Sequence, residues 1–407
     1  MKVTIPNNIF YQFLFLLCIA VPYLDTFELT IGTWGLACLI TLRNNYSISL
    51  VKLIIPYILI LIIAFFVSFN YDDYKNYFII RDVTYLMKPV VGFLLGYQLC
   101  KKNVNNAFNL IVITGVFLAS CHIIVILNAI FILGSRTVSD LRFHSGYFSD
   151  YEIYTLIILI FYKRFQLDYS KKKALVFTIL VGFSAFMYLA RTNFIQFLIL
   201  FLALKGYFEV NRKSITIFAT IIITSIVSYS IILSANPRRD ADGVEGFLYK
   251  LKVAPLEPFK TKINREDYKD FNDNYRSYEN IMTIRQVTRD GAIPTIFGKG
   301  LGSQIDLKQE VWLGDMNLRF ISILHNGFMI VFLKSGLLGI FIYLFAIFYF
   351  FYSPKSDSPV VNQITLLFIG TGVFLFISNW VFLGFYNLTE SKSILIGFLI
   401  AYREKYK

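Results

Sequence analysis

Long apolar runs separated by short polar connections dominate this chain. Twelve can be marked, at 9–24, 29–42, 50–69, 83–99, 108–133, 148–162, 174–190, 192–204, 215–233, 325–351, 364–383 and 393–402. Within them hydrophobic residues follow one another without the polar face of an amphipathic helix, which predicts helices surrounded by lipid or by other helices. Several are shorter than the roughly 20 residues that a helix crossing a bilayer upright requires. The pattern predicts an all-α polytopic membrane protein of about twelve transmembrane helices. Residues 1–233 form the first nine, 234–322 one large external loop with short helices, and 323–407 the last three.

Composition agrees with the pattern. The chain is 56% hydrophobic and only 16% charged, against roughly 25% charged in a soluble domain. Its net charge of +13 points to nucleic acid only until it is mapped along the chain. With the N-terminus cytosolic, the inward segments hold Lys2, Arg43, Lys52, Lys101, Lys102, Lys163, Arg164, Lys171, Lys172, Lys173, Lys205, Arg212, Lys213, Lys355, Arg403, Lys405 and Lys407. Four acids, Asp168, Glu209, Asp357 and Glu404, oppose them. The whole excess of +13 therefore falls on one side and the remainder is balanced. This is the asymmetry expected of a plasma-membrane protein with both termini cytosolic, and it removes nucleic acid as a partner.

The four cysteines, Cys18, Cys38, Cys100 and Cys121, lie in or beside apolar runs, so no disulfide framework is expected. The run beginning near Ile9 lacks a following small-residue cleavage site and is read as a retained span.

The segment 234–322 carries charges of both signs, several prolines and no long apolar run. One helix is readable at 275–290, where Ile281, Ile284 and Val287 recur at helical spacing. Arg285 and Arg289 are four residues apart on it and share a face.

Three polar groups fall on the external side. They are Arg142-Phe143-His144-Ser145-Gly146-Tyr147-Phe148, then Arg191-Thr192-Asn193 in a very tight connection, then the loop arginines with His325-Asn326. Guanidinium stays charged and donates in a fixed fork, the chemistry suited to phosphate. Several arginines beside lipid suggest a pyrophosphate on a lipid carrier. The alternative roles are interfacial snorkelling for Arg191 and solvated charge for Arg285 and Arg289. His325 is a candidate general base, with helix capping as the alternative for His325-Asn326. His122 reads as a packing histidine within a span, and His144 as a surface residue.

The glycine turn Gly298-Lys299-Gly300-Leu301-Gly302 lacks the strand-helix setting of a nucleotide loop, and no metal-binding motif is present. Asp72-Asp73 is a weak pointer to a metal-dependent glycosyltransferase. No cofactor is expected.

Four stretches, in order, resemble the O-antigen polymerase/ligase family of bacterial envelope glycan assembly. They are Arg142 to Asp150, Leu189-Ala190-Arg191-Thr192, Phe297 to Ser303, and His325-Asn326-Gly327-Phe328 with Gly336-Leu337-Leu338-Gly339. The resemblance implies a metal-independent glycosyltransferase at the outer face of the inner membrane, acting on undecaprenyl-pyrophosphate-linked glycan. A polymerase moves the growing chain onto a new repeat unit of O-antigen, capsule or exopolysaccharide; a ligase moves it onto lipid A-core. A flippase and a chain-length regulator are the partners implied. Catalytic roles are implied for Arg191, His325 and a loop arginine, best matched by Arg276. Arg142, Arg285, Arg289 and Asn326 are the expected substrate contacts. Tyr275, Tyr278 and Trp312 are candidates for stacking on sugar rings. The helix-face argument favours Arg285 and Arg289 over Arg276, and the two assignments compete. A lipid-linked oligosaccharide transporter would instead carry charges inside its spans. Here these are expected to be nearly absent, with Lys88 and Lys334 near span ends.

Overall fold

The computed structural model describes residues 7–71, 73–102, 106–135, 137–208, 212–239, 243–255, 257–313, 316–353 and 356–406. Asp72, Lys2, Glu209, Lys355 and Lys407 lie outside them.

The chain is mostly helical. The first half holds α1 (Asn7–Ala20), α2 (Phe27–Thr41), α3 (Ile48–Ser68), α4 (Asn76–Cys100), α5 (Ala107–Phe131), α6 (Val138–Ser145), α7 (Asp150–Ile160), α8 (Lys171–Met187) and α9 (Arg191–Leu204). Then come α10 (Arg212–Ala235), α11 (Gly243–Val253), α12 (Tyr268–Asp273), α13 (Tyr275–Arg289) and α14 (Ala292–Phe297). The last three are α15 (Gly327–Phe348), α16 (Pro359–Val381) and α17 (Lys392–Lys405). Each of the twelve apolar runs overlaps one of these helices. Among the described residues five are long and apolar enough to cross a membrane: α3, α5, α10, α15 with the turn that follows it, and α16. Most of the other apolar helices are shorter, and α4 carries Arg81, Asp82 and Lys88.

Two features differ from the sequence expectation. The structure is not purely helical: β1 (Ile305–Leu313) and β2 (Met316–Ile321) form an antiparallel hairpin. Its alternation, Ile305 and Leu307 in and Asp306 and Lys308 out, is broken by a register shift between Asp306 and Val311, which hides a period-2 signal.

Nor are the apolar helices nearly free of charge. Lys88 and Lys334 are fully buried within α4 and α15, and Asp82, Asp150, Glu152, Glu390 and Lys392 are buried as well. Lys334 donates to Asp82 at 2.6 Å and to the Ser303 carbonyl at 2.6 Å. Lys392 donates to Asp150 at 2.7 Å. The segment between α16 and α17 runs through the bundle interior in irregular conformation. Its carbonyls at Asn387, Leu388 and Glu390 accept from Lys88. Backbone away from water must be satisfied internally, and the lysine does that.

The stretch from α11 to β2 shares one continuous core with the bundle through Phe271, Tyr278, Met282, Val287, Leu301, Ile305 and Leu307. Its attachment is the glycine turn after α14. Gly336 has φ 66° and breaks α15, which frees carbonyls that a continuous helix would use. Lys299 and Gly300 donate to the carbonyls of Leu333 and Lys334 at 2.8 and 3.1 Å. The Gly302 N–H donates to Asp82 at 2.8 Å.

Candidate active site

The turn between α8 and α9 is very tight, with Leu189 held at φ 49°. Such left-handed backbone is costly for a branched residue and tends to collect at functional sites. It sets Arg191 as the first residue of α9, with its side chain about one-third exposed. Nη2 of Arg191 lies 3.9 Å from Oε2 of Glu257. From α13, Nη1 of Arg276 reaches Oε1 of the same carboxylate at 3.4 Å. Glu257 thus sits between two guanidiniums from elements far apart in sequence. Its position is fixed by its carbonyl, which accepts from the Ser277 hydroxyl.

Arg142, on α6, joins them electrostatically. Burial, then the charges of Arg191 and Arg276, push its pKa below the ordinary arginine value, while Tyr147 acts the other way. Its guanidinium also stands 5.5 Å from the Tyr147 ring. Two guanidiniums on one carboxylate, with Arg142 near both, leave local positive charge in excess. The start of α9 adds backbone N–H groups that favour an anion.

On α13, Glu279 lies three residues after Arg276 and on nearly the same face. It is fully buried. Its Oε2 accepts the His325 backbone N–H at 2.9 Å and stands 3.2 Å from ring Nδ1. The Tyr275 ring meets His325 edge-on at 5.7 Å; burial, then the Glu279 charge, pushes the Tyr275 hydroxyl pKa well up. The His325 side chain is nearly half exposed. Asn326 is buried, and its Oδ1 accepts the Met329 N–H at 3.1 Å as the N-cap of α15. The Gly327 N–H donates to the Phe382 carbonyl at 2.9 Å, and the Phe382 ring lies 5.9 Å from the Arg276 guanidinium. The start of α15 and Arg276 therefore meet at one residue.

Arg142, Arg191 and Arg276 are brought together, and His325 is tied through Glu279 to the helix that carries Arg276. Arg285 and Arg289 are not: nine and thirteen residues beyond Arg276, they lie on the opposite side of α13. They line a separate groove. His122 is buried, with Nδ1 2.8 Å from the Ser184 hydroxyl and its ring stacked on Tyr188. His144 is exposed. Tyr278 is buried and donates to the Leu307 carbonyl, a packing role, whereas Trp312 is exposed. Among the described residues no cluster of three or more His, Cys, Asp or Glu is placed to hold a metal ion. The cysteines are free.

Sequence reasoning missed Glu257 and Glu279. Glu279 had a signal, since it shares a helix face with Arg276. Glu257, in a short irregular turn, had none. Comparison with protein-family models and with curated proteins returns no match to this chain.

Proposed function

We propose that this protein is an integral-membrane glycosyltransferase that polymerises lipid-pyrophosphate-linked oligosaccharide repeat units. The twelve apolar helices would all lie in the plasma membrane with both termini cytosolic, and residues 234–322 would face outward. The observation that carries the reading is Glu257 set between Arg191 and Arg276, with Arg142 behind them and His325 beside them. A pyrophosphate carries more charge than one carboxylate and matches the guanidinium forks better. Glu257 therefore stands where the donor's phosphates would bind.

In the reaction an acceptor hydroxyl attacks the anomeric carbon of the donor. The new glycosidic C–O bond forms as the bond to pyrophosphate breaks, and the leaving group takes the electron pair. Arg191 and Arg276 neutralise the growing charge, the kind of fixed electrostatic help that contributes most in many enzymes. His325 accepts the hydroxyl proton.

Charges inside the bundle are the feature a transporter would carry. Lys334 and Lys392 are each held by a carboxylate and by backbone carbonyls, which assigns them to anchoring irregular backbone.

The test is deletion in the native host with complementation by the unaltered gene, Arg191→Ala and His325→Ala. A ladder of surface glycan restored only by the unaltered gene supports polymerisation. Long chains held on the carrier with none on the lipid core indicate a ligase. Repeat units accumulating on the cytosolic face overturn the assignment.

A further inference from the structure

The face of α13 turned away from Arg276 forms the floor of a second cavity of about 810 Å³. Tyr278, Ile281, Met282, Arg285, Gln286 and Arg289 recur every three or four residues along it, one helical stripe. The 261–265 strand of chain and Lys308 of β1 supply the walls. Five of the lining residues are cations: Lys262, Arg265, Arg285, Arg289 and Lys308. Asp270 is the one lining acid, and it is engaged by Lys260, the Asn264 N–H and Asn274. Lys308 is matched by Asp306 at 2.8 Å, and Arg289 loosely by Asp290 at 3.7 Å. Lys262, Arg265 and Arg285 are exposed, and no carboxylate pairs with them among the described residues.

We propose that this groove binds an anionic stretch of glycan, so that the repeat unit handled here bears carboxylate or phosphate groups. This rests on the polymerase reading and narrows its substrate. The volume suits several sugars, being near the upper end of the roughly 300–1,000 Å³ of small-molecule sites. Asn264 and Gln286 stand among the cations, a mixture suited to sugar hydroxyls and acidic substituents together. A lipid headgroup offers similar charge, but the hydrogen-bonding side chains along the stripe favour a polar polymer. One helix would then hold the reacting end on one face and the chain behind it on the other.

The test uses the full-length protein in nanodiscs of zwitterionic lipid. The probes are a short oligogalacturonate and a neutral oligoglucan of equal length. The acidic oligomer binds and the neutral one does not. Binding weakens steeply with salt and falls at least tenfold in Lys262→Gln/Arg265→Gln/Arg285→Gln. The charge-preserving variant Lys262→Arg/Arg265→Lys/Arg285→Lys retains it. Equal binding of both oligomers, or undiminished binding by the neutralised variant, overturns the proposal. So does a neutralised variant that loses only co-purifying anionic lipid. Arg191→Ala leaves this binding intact while abolishing chain growth. If instead Arg191→Ala leaves chain growth intact while the groove still binds the oligogalacturonate, the polymerase reading falls and the anionic-glycan site stands.

Discussion

Glu279 accepts the backbone N–H of His325 at 2.9 Å and faces its ring Nδ1 at 3.2 Å from a position without solvent exposure. The carboxylate holds the loop and engages ring Nδ1 together, so in the proposed reaction Nε2 would be the nitrogen left for an acceptor hydroxyl. Glu279→Gln keeps the shape and a weaker acceptor for the backbone N–H. We expect kcat to fall about ten- to a hundredfold, within the range that proton transfer contributes, with KM little changed. Steady-state kinetics on synthetic lipid-linked repeat units checks this; a change confined to KM would assign Glu279 to binding instead.

On the proposed reading, Glu257 would compete with the donor for Arg191 and Arg276, the two guanidiniums it now faces. Glu257→Gln removes the charge and keeps the turn, so the donor KM should fall severalfold. Arg276→Ala should cost about 10²–10³ in kcat, the scale of losing one fixed electrostatic donor. Arg289→Ala, on the far side of α13, should leave kcat for the first transfer unchanged. Equal losses for Arg276→Ala and Arg289→Ala would remove the assignment of the two faces.

The apolar helices were legible in the sequence, because helices of this kind need long uncharged runs, and Arg191 and His325 stood out there as ionisable groups beside such runs. The choice between Arg276 and Arg285 with Arg289 was not. Helical spacing shows which residues share a face, as Arg285 and Arg289 do, but not which face meets the bundle. The hairpin was hidden by its register shift. Lys88 and Lys334 were misjudged because their partners are remote in sequence: the carbonyls of 387–390 for one, Asp82 and Ser303 for the other.

The buried pair of Lys334 and Asp82 ties α4, α15 and the glycine turn together. Removing one partner leaves the other charged and uncompensated, at a cost of about 3–5 kcal/mol. Lys334→Met or Asp82→Leu alone should therefore unfold at clearly lower temperature in detergent. The double variant should recover much of the loss, since neither charge then remains. A double variant no better than the worse single one would show that the hydrogen bonds to Gly302 and Ser303 matter more than charge balance.

At the base of the hairpin, bonding from Arg319 and Lys308 holds the Asp306 carboxyl well below the usual carboxylate range. A depressed folded pKa stabilises above the unfolded value of about 3.9 and loses that contribution as pH falls through the folded value. The hairpin should thus keep its clasp at neutral and mildly acidic pH and lose it only in strong acid. Hydrogen-exchange protection of β1 and β2, corrected for intrinsic rates, should be flat above pH 5 and drop below it. Arg319→Ala should lower protection at neutral pH, where Asp306 has lost its main partner.

Gly336 decides whether the segment that carries the glycine turn and α13 can dock. At φ 66° it interrupts α15, and a Cβ there would strike the Ile296 carbonyl and the Gly298 N–H. Gly298 is confined in turn: its own Cβ would meet the Lys334 and Ser335 backbone at 2.5 Å. Gly336→Ala therefore faces two costs, left-handed backbone of about 1–3 kcal/mol and the separation of two close-packed chains. The helix has a cheaper response, which is to continue straight and take back the Leu333 and Lys334 carbonyls from Lys299 and Gly300. We expect α15 to form in Gly336→Ala while the 298–303 turn detaches, carrying α13, with Arg276 and Glu279, away from Arg191 and His325. Activity should be lost, protease cleavage should appear within 298–303, and the helical signal in circular dichroism should be unchanged. Cleavage resistance with full activity would mean that the turn is held chiefly by Asp82.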